Sequence, residues 1–320
     1  MTYLKIGDRY TNFEYLADYI RFTLRIKLRN IKSSFYRHIG KREISHPMMI
    51  WIEPTNICNL RCIMCPQGKD LVKRKKGHMD FNLYRKIIDE ACRWKPYINL
   101  HHMGESLLYP KIVDMIKYAK LKKCGPVKLT TNGTVLNEKL ALSILDSGLD
   151  VIRFSFDGAT KKTYEKIRIG SDFDKTLGYI TDFIKLKKKL GKKTQIIVDI
   201  VVIDKNKDEV DLFVEKFKKL GVDTVHVKDP NNWGGYVDVA DKGKRYIGCR
   251  HPYHFSTITW DGYVIPCCRD FDAMYKIGNI SEDKLINIWN NKRMHFLREA
   301  VASKKSERIN ICKNCSELYK

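Results

Sequence analysis

From residue 49 onward, apolar positions follow two alternating rhythms. Short β-branched and apolar runs occupy 49–53, 98–102, 127–131, 151–155, 195–202 and 224–227, each of strand length. Between them, apolar residues recur at helical spacing over 83–93, 111–122, 138–147, 174–190 and 207–220, with Gly, Asn or Pro marking the joins. Strands that alternate with helices in this way predict a parallel sheet joined by right-handed crossovers. Six such units are too few for a closed eight-stranded barrel, so the expected fold class is α/β, an open partial (β/α)6 barrel. After about residue 229 the rhythm gives way to a Gly-, Asn- and Tyr-rich linker, a hairpin-like stretch and one helix. The expected organisation is therefore an N-terminal extension (1–48), a barrel (49–229) and a small C-terminal domain (230–320).

The extension carries a second pattern. Phe13, Leu16, Ile20, Leu24, Leu28 and Ile31 recur at helical spacing among Arg and Lys, which predicts an amphipathic basic helix over 13–36. Two readings of it stand: peripheral contact with an anionic membrane or a partner, or packing against the outside of the main domain.

Composition narrows the class. With 43% hydrophobic and 30% charged residues in 320, the chain can bury a large core and does not read as an integral membrane protein. Its longest apolar runs fall far short of the roughly 18 to 20 residues that cross a bilayer. Residues 1–10 carry early charges and no apolar core with a small-residue cleavage site, so the expected location is the cytoplasm. The excess of 60 Lys and Arg over 37 Asp and Glu gives +23, but these charges are scattered and no nucleic-acid module accompanies them. Nucleic acid is not an expected partner. Ten cysteines in a reducing compartment point to metal ligation rather than disulfides.

Three of the cysteines fall in Glu53-Pro-Thr-Asn-Ile-Cys58-Asn-Leu-Arg-Cys62-Ile-Met-Cys65-Pro66, the loop after the first barrel strand, spaced C-x3-C-x2-C. A cubane that only transfers electrons takes four protein ligands, so three thiolates reserve one iron for something else. Structural zinc wants a fourth ligand nearby, and the next histidine is His78. With Met64 between the last two cysteines, the loop resembles the signature of the radical S-adenosylmethionine (radical SAM) superfamily. That resemblance implies a 4Fe–4S cluster on Cys58, Cys62 and Cys65 whose open iron chelates S-adenosylmethionine. It also implies reductive cleavage to a 5′-deoxyadenosyl radical, with the electron coming from a donor such as flavodoxin or ferredoxin.

Further cofactor contacts are implied by the same resemblance. Gly104-Glu105 is similar to the Gly-Gly-Glu motif that holds the methionine amino group, although Met103 and Ser106 depart from it. The Glu105 carboxylate is retained as an acceptor for an ammonium, and the backbone contact of that turn is in doubt. Asn132, at the end of the third strand, and Ser155 and Asp157, at the end of the fourth, resemble ribose and carboxylate contacts. Arg168 resembles a basic residue near cofactor or substrate. Without the cysteine loop, the Asn-Gly and Asp-Gly dipeptides would read as ordinary turns.

A second set, Cys249, Cys267, Cys312 and Cys315, is spaced C-x17-C-x44-C-x2-C, and Trp260-Asp-Gly262-Tyr forms a turn that delivers Cys267. Four thiolates suit zinc and an iron–sulfur cluster equally from spacing. The pattern resembles the shortened "twitch" form of the SPASM domain, which implies one auxiliary 4Fe–4S cluster. Cys268 could replace its neighbour as a ligand, and Cys92 and Cys124 read as core thiols. The expected activity is a radical SAM oxidoreductase that abstracts a hydrogen atom from a small polar substrate (an amino sugar, cyclitol or glycan precursor), the auxiliary cluster accepting a second electron. The rivals are a peptide-modifying maturase of the SPASM type, and a non-catalytic iron–sulfur electron carrier or nucleic-acid-binding protein.

Overall fold

The computed structural model describes residues 3–12, 24, 28, 31–32, 34–238 and 245–319. Most of the expected basic helix over 13–36 lies outside the described residues; its described positions 24, 28, 31, 32 and 34–36 are helical. The strands are β1 (Tyr3–Ile6), β2 (Arg9–Asn12), β3 (Met49–Ile52), β4 (Arg61–Cys62), β5 (Tyr97–Leu100), β6 (Val127–Thr131), β7 (Val151–Ser155), β8 (Arg168–Ile169), β9 (Gln195–Val201), β10 (Thr224–Lys228), β11 (Phe255–Ile258), β12 (Tyr263–Ile265) and β13 (Gly278–Asn279). Eleven of them form one sheet in the order β1-β2-β10-β9-β7-β6-β5-β3-β11-β12-β13. From β10 through β11 every pairing is parallel. The six expected barrel strands are present in sequence order, and the barrel is open.

Helices α1 (Phe81–Ala91), α2 (Ile112–Leu121), α3 (Glu138–Asp146), α4 (Lys161–Ile167), α5 (Phe173–Lys189) and α6 (Val210–Leu220) supply the crossovers. Asp80, Asn137 and Asp172 cap three of them by accepting backbone N–H bonds. The strands show why the sheet has two different faces. In β6, Val127, Leu129 and Thr131 are buried against the helices, while Lys128 and Thr130 alternate onto the concave face. Asn99, Arg153, Asp199 and His226 occupy the matching positions on β5, β7, β9 and β10. The convex face is an ordinary apolar core; the concave face is polar and charged.

The sheet runs through all three expected segments, because β1 and β2 add to β10 and β11 adds to β3. The hairpin β1–β2 was not anticipated, although Gly7-Asp8 between the two runs is hairpin-turn chemistry, with Gly7 at φ +62°. At the other end, α7 (His251–His254), α8 (Leu285–Trp289) and α9 (Lys292–Ala302) replace the single helix expected. The reading of Cys92 and Cys124 as core thiols is also corrected. The chain brings their Cα atoms to 4.5 Å and a disulfide joins them, tying the end of α1 to the α2–β6 turn.

Candidate functional site

Both cysteine sets sit at the C-terminal end of the parallel strands, the rim where open α/β sheets bind ligands. The three loop cysteines do not merely dangle from β3. Cys62 lies in β4, which pairs with β8 and sets Cys62 opposite Arg168. That ladder depends on α4, whose Tyr164 stacks on Phe156 at a centroid distance of 4.0 Å. Gly158 allows the approach, since a Cβ there would meet Tyr164 N at 2.5 Å.

Gly104 serves the loop from the other side. A Cβ at Gly104 would lie 2.2 Å from the Thr55 carbonyl, and Glu105 N donates to Ile57 O at 2.9 Å. Burial pushes the Cys58 thiol up to about 11, the Cys62 thiol up to about 12 and the Cys65 thiol upward. The protonated forms are favoured until a cation competes for the sulfurs.

All nine residues singled out in this half of the sequence line one cavity of about 350 Å³: Cys58, Cys62, Cys65, Gly104, Glu105, Asn132, Ser155, Asp157 and Arg168. Their partners refine their roles. Glu105, 3% exposed, accepts from Leu107 N at 2.9 Å, Thr131 Oγ1 at 2.6 Å and Asn132 N at 2.6 Å. Two carboxylate oxygens offer about four acceptor positions, so about one is left for an ammonium. The Asn132 side chain ties the β6 turn to the cysteine loop through Asn59 at 3.0 Å. Asp157 Oδ2 lies 2.6 Å from Arg168 Nη2, and Arg168 Nη1 lies 4.0 Å from Cys62 Sγ. That places a paired, buried guanidinium beside the thiols.

Sequence reasoning missed Glu53, which is fully buried at the end of β3. It binds both terminal guanidinium nitrogens of Arg74 (2.6 and 2.5 Å), His102 Nδ1 at 3.1 Å, Met103 N at 3.2 Å and Trp260 N at 3.1 Å. Burial alone would raise its carboxyl, but the Arg74 and His102 bonds outweigh burial and lower it to about 2. His101, Lys228 and Trp233 were missed as well. They line the same cavity, and Trp233 Nε1 donates to Met64 O at 3.2 Å, closing the linker over the loop.

The second set, Cys249, Cys267, Cys312 and Cys315, lines a separate cavity of about 30 Å³. Burial raises Cys249 to about 12, Cys315 to about 11 and Cys312 further. A hydrogen bond shared with Cys268, together with burial, raises Cys267 to about 12, and the same bond lowers Cys268 to about 7. The Cys268 carbonyl accepts from His102 Nε2 at 3.0 Å, so Glu53, His102 and Cys268 form a bonded path between the two sites.

Spacing left zinc and cluster even at this second set; geometry separates them. Zn–S bonds of about 2.3 Å set the thiolates of a tetrahedral zinc site about 3.8 Å apart. Among the described residues, only His251, Cys267 and Cys268 form a trio of possible ligand atoms within 4.8 Å of one another. Neither cysteine set is that tight. That spacing is not the closed cage of a single zinc ion, and the thiol-only donor sets suit iron–sulfur ligation.

Comparison with known proteins agrees with this donor chemistry. The profile of the radical SAM superfamily matches residues 52–215, and that of an iron–sulfur cluster-binding domain, SPASM, matches 249–316. A tungsten-containing aldehyde ferredoxin oxidoreductase cofactor-modifying protein of Pyrococcus furiosus is 25% identical, over 78% of this chain and 82% of its own. The S-adenosyl-L-methionine-dependent 2-deoxy-scyllo-inosamine dehydrogenase of Niallia circulans is 23% identical, over 84% of this chain and 93% of its own. The crystal structure of BtrN in complex with AdoMet and 2-DOIA matches with a TM-score of 0.63 and 21% identity, covering 86% of this chain and 98% of BtrN. Streptococcus suis SuiB bound to its precursor peptide SuiA matches with a TM-score of 0.67 and 16% identity, covering 96% of this chain and 75% of SuiB. These structural likenesses show the fold.

Proposed function

The chain belongs to the radical SAM superfamily, and from that membership we propose that it oxidises a small polar molecule, such as an amino sugar, cyclitol or glycan precursor, by two electrons. Its cofactors are a 4Fe–4S cluster that binds S-adenosylmethionine, an auxiliary iron–sulfur cluster and S-adenosylmethionine itself. When bound and reduced by one electron, S-adenosylmethionine would supply a 5′-deoxyadenosyl radical that takes one hydrogen atom from the substrate, and the second electron of the oxidation would pass to the auxiliary cluster as a proton leaves the substrate.

In this reading Cys58, Cys62 and Cys65 hold the first cluster, Cys249, Cys267, Cys312 and Cys315 hold the second, and a flavodoxin or ferredoxin feeds the first. The remaining acceptor position of Glu105 takes the cofactor's ammonium. Asn132 and Ser155 stand at its ribose and carboxylate, and Asp157 keeps Arg168 aimed at the cysteine loop. The three expected segments serve as extension, radical-generating barrel and auxiliary domain.

One observation carries the choice of substrate: His101, Thr130, Ser155 and Lys228 set polar side chains into a cavity wall otherwise built from groups such as Met64, Met103, Val201 and Trp233. His101 accepts from Trp51 Nε1 at 3.2 Å through Nε2, which makes Nδ1 its N–H. Burial lowers its pKa well below the usual value, so the ring is neutral. Lys228 pairs with Asp199, which Arg153 also contacts at 3.2 Å. Those side chains offer partners to the hydroxyl and amine groups of a small polar substrate. A substrate deuterated at the reacting carbon should pass its label to 5′-deoxyadenosine, one equivalent per oxidised product. Label returning to product with the cofactor regenerated, or a methyl group from S-adenosylmethionine in product, overturns the oxidation.

The extension supports a further role. No helix among the described residues is long and apolar enough to cross a membrane. Leu24, Leu28, Ile31, Phe35 and Ile39, however, are each more than half exposed at helical spacing in a strongly basic stretch, a pattern suited to the surface of an anionic bilayer. Sedimentation with anionic vesicles should fall when residues 1–40 are removed; equal sedimentation would reduce the helix to packing.

A further inference from the structure

Among the described residues, a cavity larger than the one beside the loop cysteines lies elsewhere in the barrel. It measures about 660 Å³ and is lined by Met49, Tyr97, Val151, Gln195 and Thr224, the first residues of β3, β5, β7, β9 and β10. It therefore lies at the N-terminal end of the barrel, opposite the cysteine loop. That end of such barrels ordinarily serves stability, and its polar groups should then be satisfied by the protein. Here they are not.

Among the described residues, Asn99, 2% exposed, has no hydrogen-bond partner for Nδ2, and Arg153 has none for Nε. Lys128 stands directly opposite Asn99 in the β5–β6 register. It is half-buried on the cavity wall, and among the described residues no carboxylate pairs with it. Burial, followed by the nearby Arg153 and Lys228 charges, drives its pKa well below that of an ordinary lysine. An adjacent anion would reverse that effect.

The rest of the lining has the same bias. Arg9, Lys128, Arg153, Lys192 and Lys193 share the lining with two acidic side chains, Asp146 and Asp150, while from outside the lining Asp199 pairs with Arg153 at 3.2 Å and Asp8 lies 3.7 Å from Arg9. Asp146 is held by Lys192 at 2.7 Å. Asp150 is held by Lys120 at 2.7 Å and by Val127 N at 2.8 Å. Neither is left for Lys128. Leu145, Leu149 and Ile197 supply apolar wall.

We propose that this cavity is a second ligand site, independent of the radical chemistry, for a small organic anion. Its carboxylate or phosphate head would take the Lys128 ammonium, the Asn99 amide and the Arg153 Nε–H, and its apolar body would lie against Leu145, Leu149 and Ile197. The volume falls within the range of small-molecule sites, roughly 300 to 1,000 Å³, and is many times that of a single water, about 30 Å³.

Phenyl phosphate and benzoate, titrated calorimetrically into the anaerobically reconstituted chain, test the two head groups separately. At least one should saturate at one site per chain, and the tighter identifies the head. Lys128→Met and Asn99→Leu should each weaken that probe by about tenfold or more, while the cluster absorbance and cleavage of S-adenosylmethionine stay as in the wild type. Lys128→Met should also melt no lower than the wild type, because it removes a desolvated amine that the protein does not pair. Absence of binding by both probes at millimolar concentration overturns the proposal. So does undiminished affinity in Lys128→Met or, should that variant fail to fold, in Asn99→Leu.

Discussion

The cavity beside Cys58, Cys62 and Cys65 holds about 350 Å³, whereas that among Cys249, Cys267, Cys312 and Cys315 holds about 30 Å³. The first is walled by polar groups that bond one another, Glu105 to the Asn132 turn and Asp157 to Arg168. The second is closed by Leu297, Val301, Ile311 and Leu318. Thiols at both are raised by burial, so sulfur chemistry does not separate them. Room does: three thiols come with space for a further ligand, and four come with almost none. In the proposed reading, a site that admits a cofactor and one that only holds charge are built differently around the same donor atom.

Four measurements break or sharpen that contrast. Replacing Cys58, Cys62 and Cys65 together with Ala should abolish cleavage of S-adenosylmethionine while iron falls only by half, from about eight to about four per chain; cleavage that persists ends the division of labour. Cys312→Ala should do the converse, with oxidised product falling by about a hundredfold or more and 5′-deoxyadenosine formation largely retained. Zinc bound at the second site of the wild type would instead make it structural.

Asp157→Asn leaves Arg168 buried without its partner, which costs about 3 to 5 kcal/mol. It should lower the melting temperature and weaken binding of S-adenosylmethionine, with the auxiliary cluster unchanged. The smallest effect concerns Glu53, which ties the two sites together. Its carboxyl is lowered from 4.5 to about 2 in the fold, so the unfolded chain takes up the proton first. The stability this gives, about 3 kcal/mol, is present above pH 4.5 and is lost as pH falls toward 2. Urea unfolding of the cluster-free chain should show that loss in the wild type and not in Glu53→Gln, which should be weaker at neutral pH.

The barrel strands and the cysteine sets were legible because each is a local pattern. Strands β6 and β7 begin and end where the apolar runs do, and cysteine spacing survives without tertiary information. Helix α4 was illegible because it is only 7 residues long and is held by Tyr164 stacking on Phe156 rather than by a long apolar stripe. Glu53 read as the last residue of a strand; its importance comes from Arg74, His102 and Trp260, which no spacing rule links to it. The disulfide between Cys92 and Cys124 closes 32 residues and depends on where α2 returns the chain. That Lys128 has no paired carboxylate among the described residues could not be read at all, since alternation along β6 gives its face and not its counterion.

The parallel ladder between β3 and β11 has a dynamic consequence. β3 leads into Cys58, and β11 with its hairpin partner β12 leads into Cys267. Four register pairs, from Phe255 opposite Met49 to Ile258 opposite Ile52, bind the two supports edge to edge. Electron tunnelling decays exponentially with the gap between donor and acceptor, so a hinge here would make the rate fluctuate with every excursion. In the proposed reading a shared sheet would hold that gap steady, and the oxidation clock would then be set by chemistry and substrate exchange rather than by domain motion.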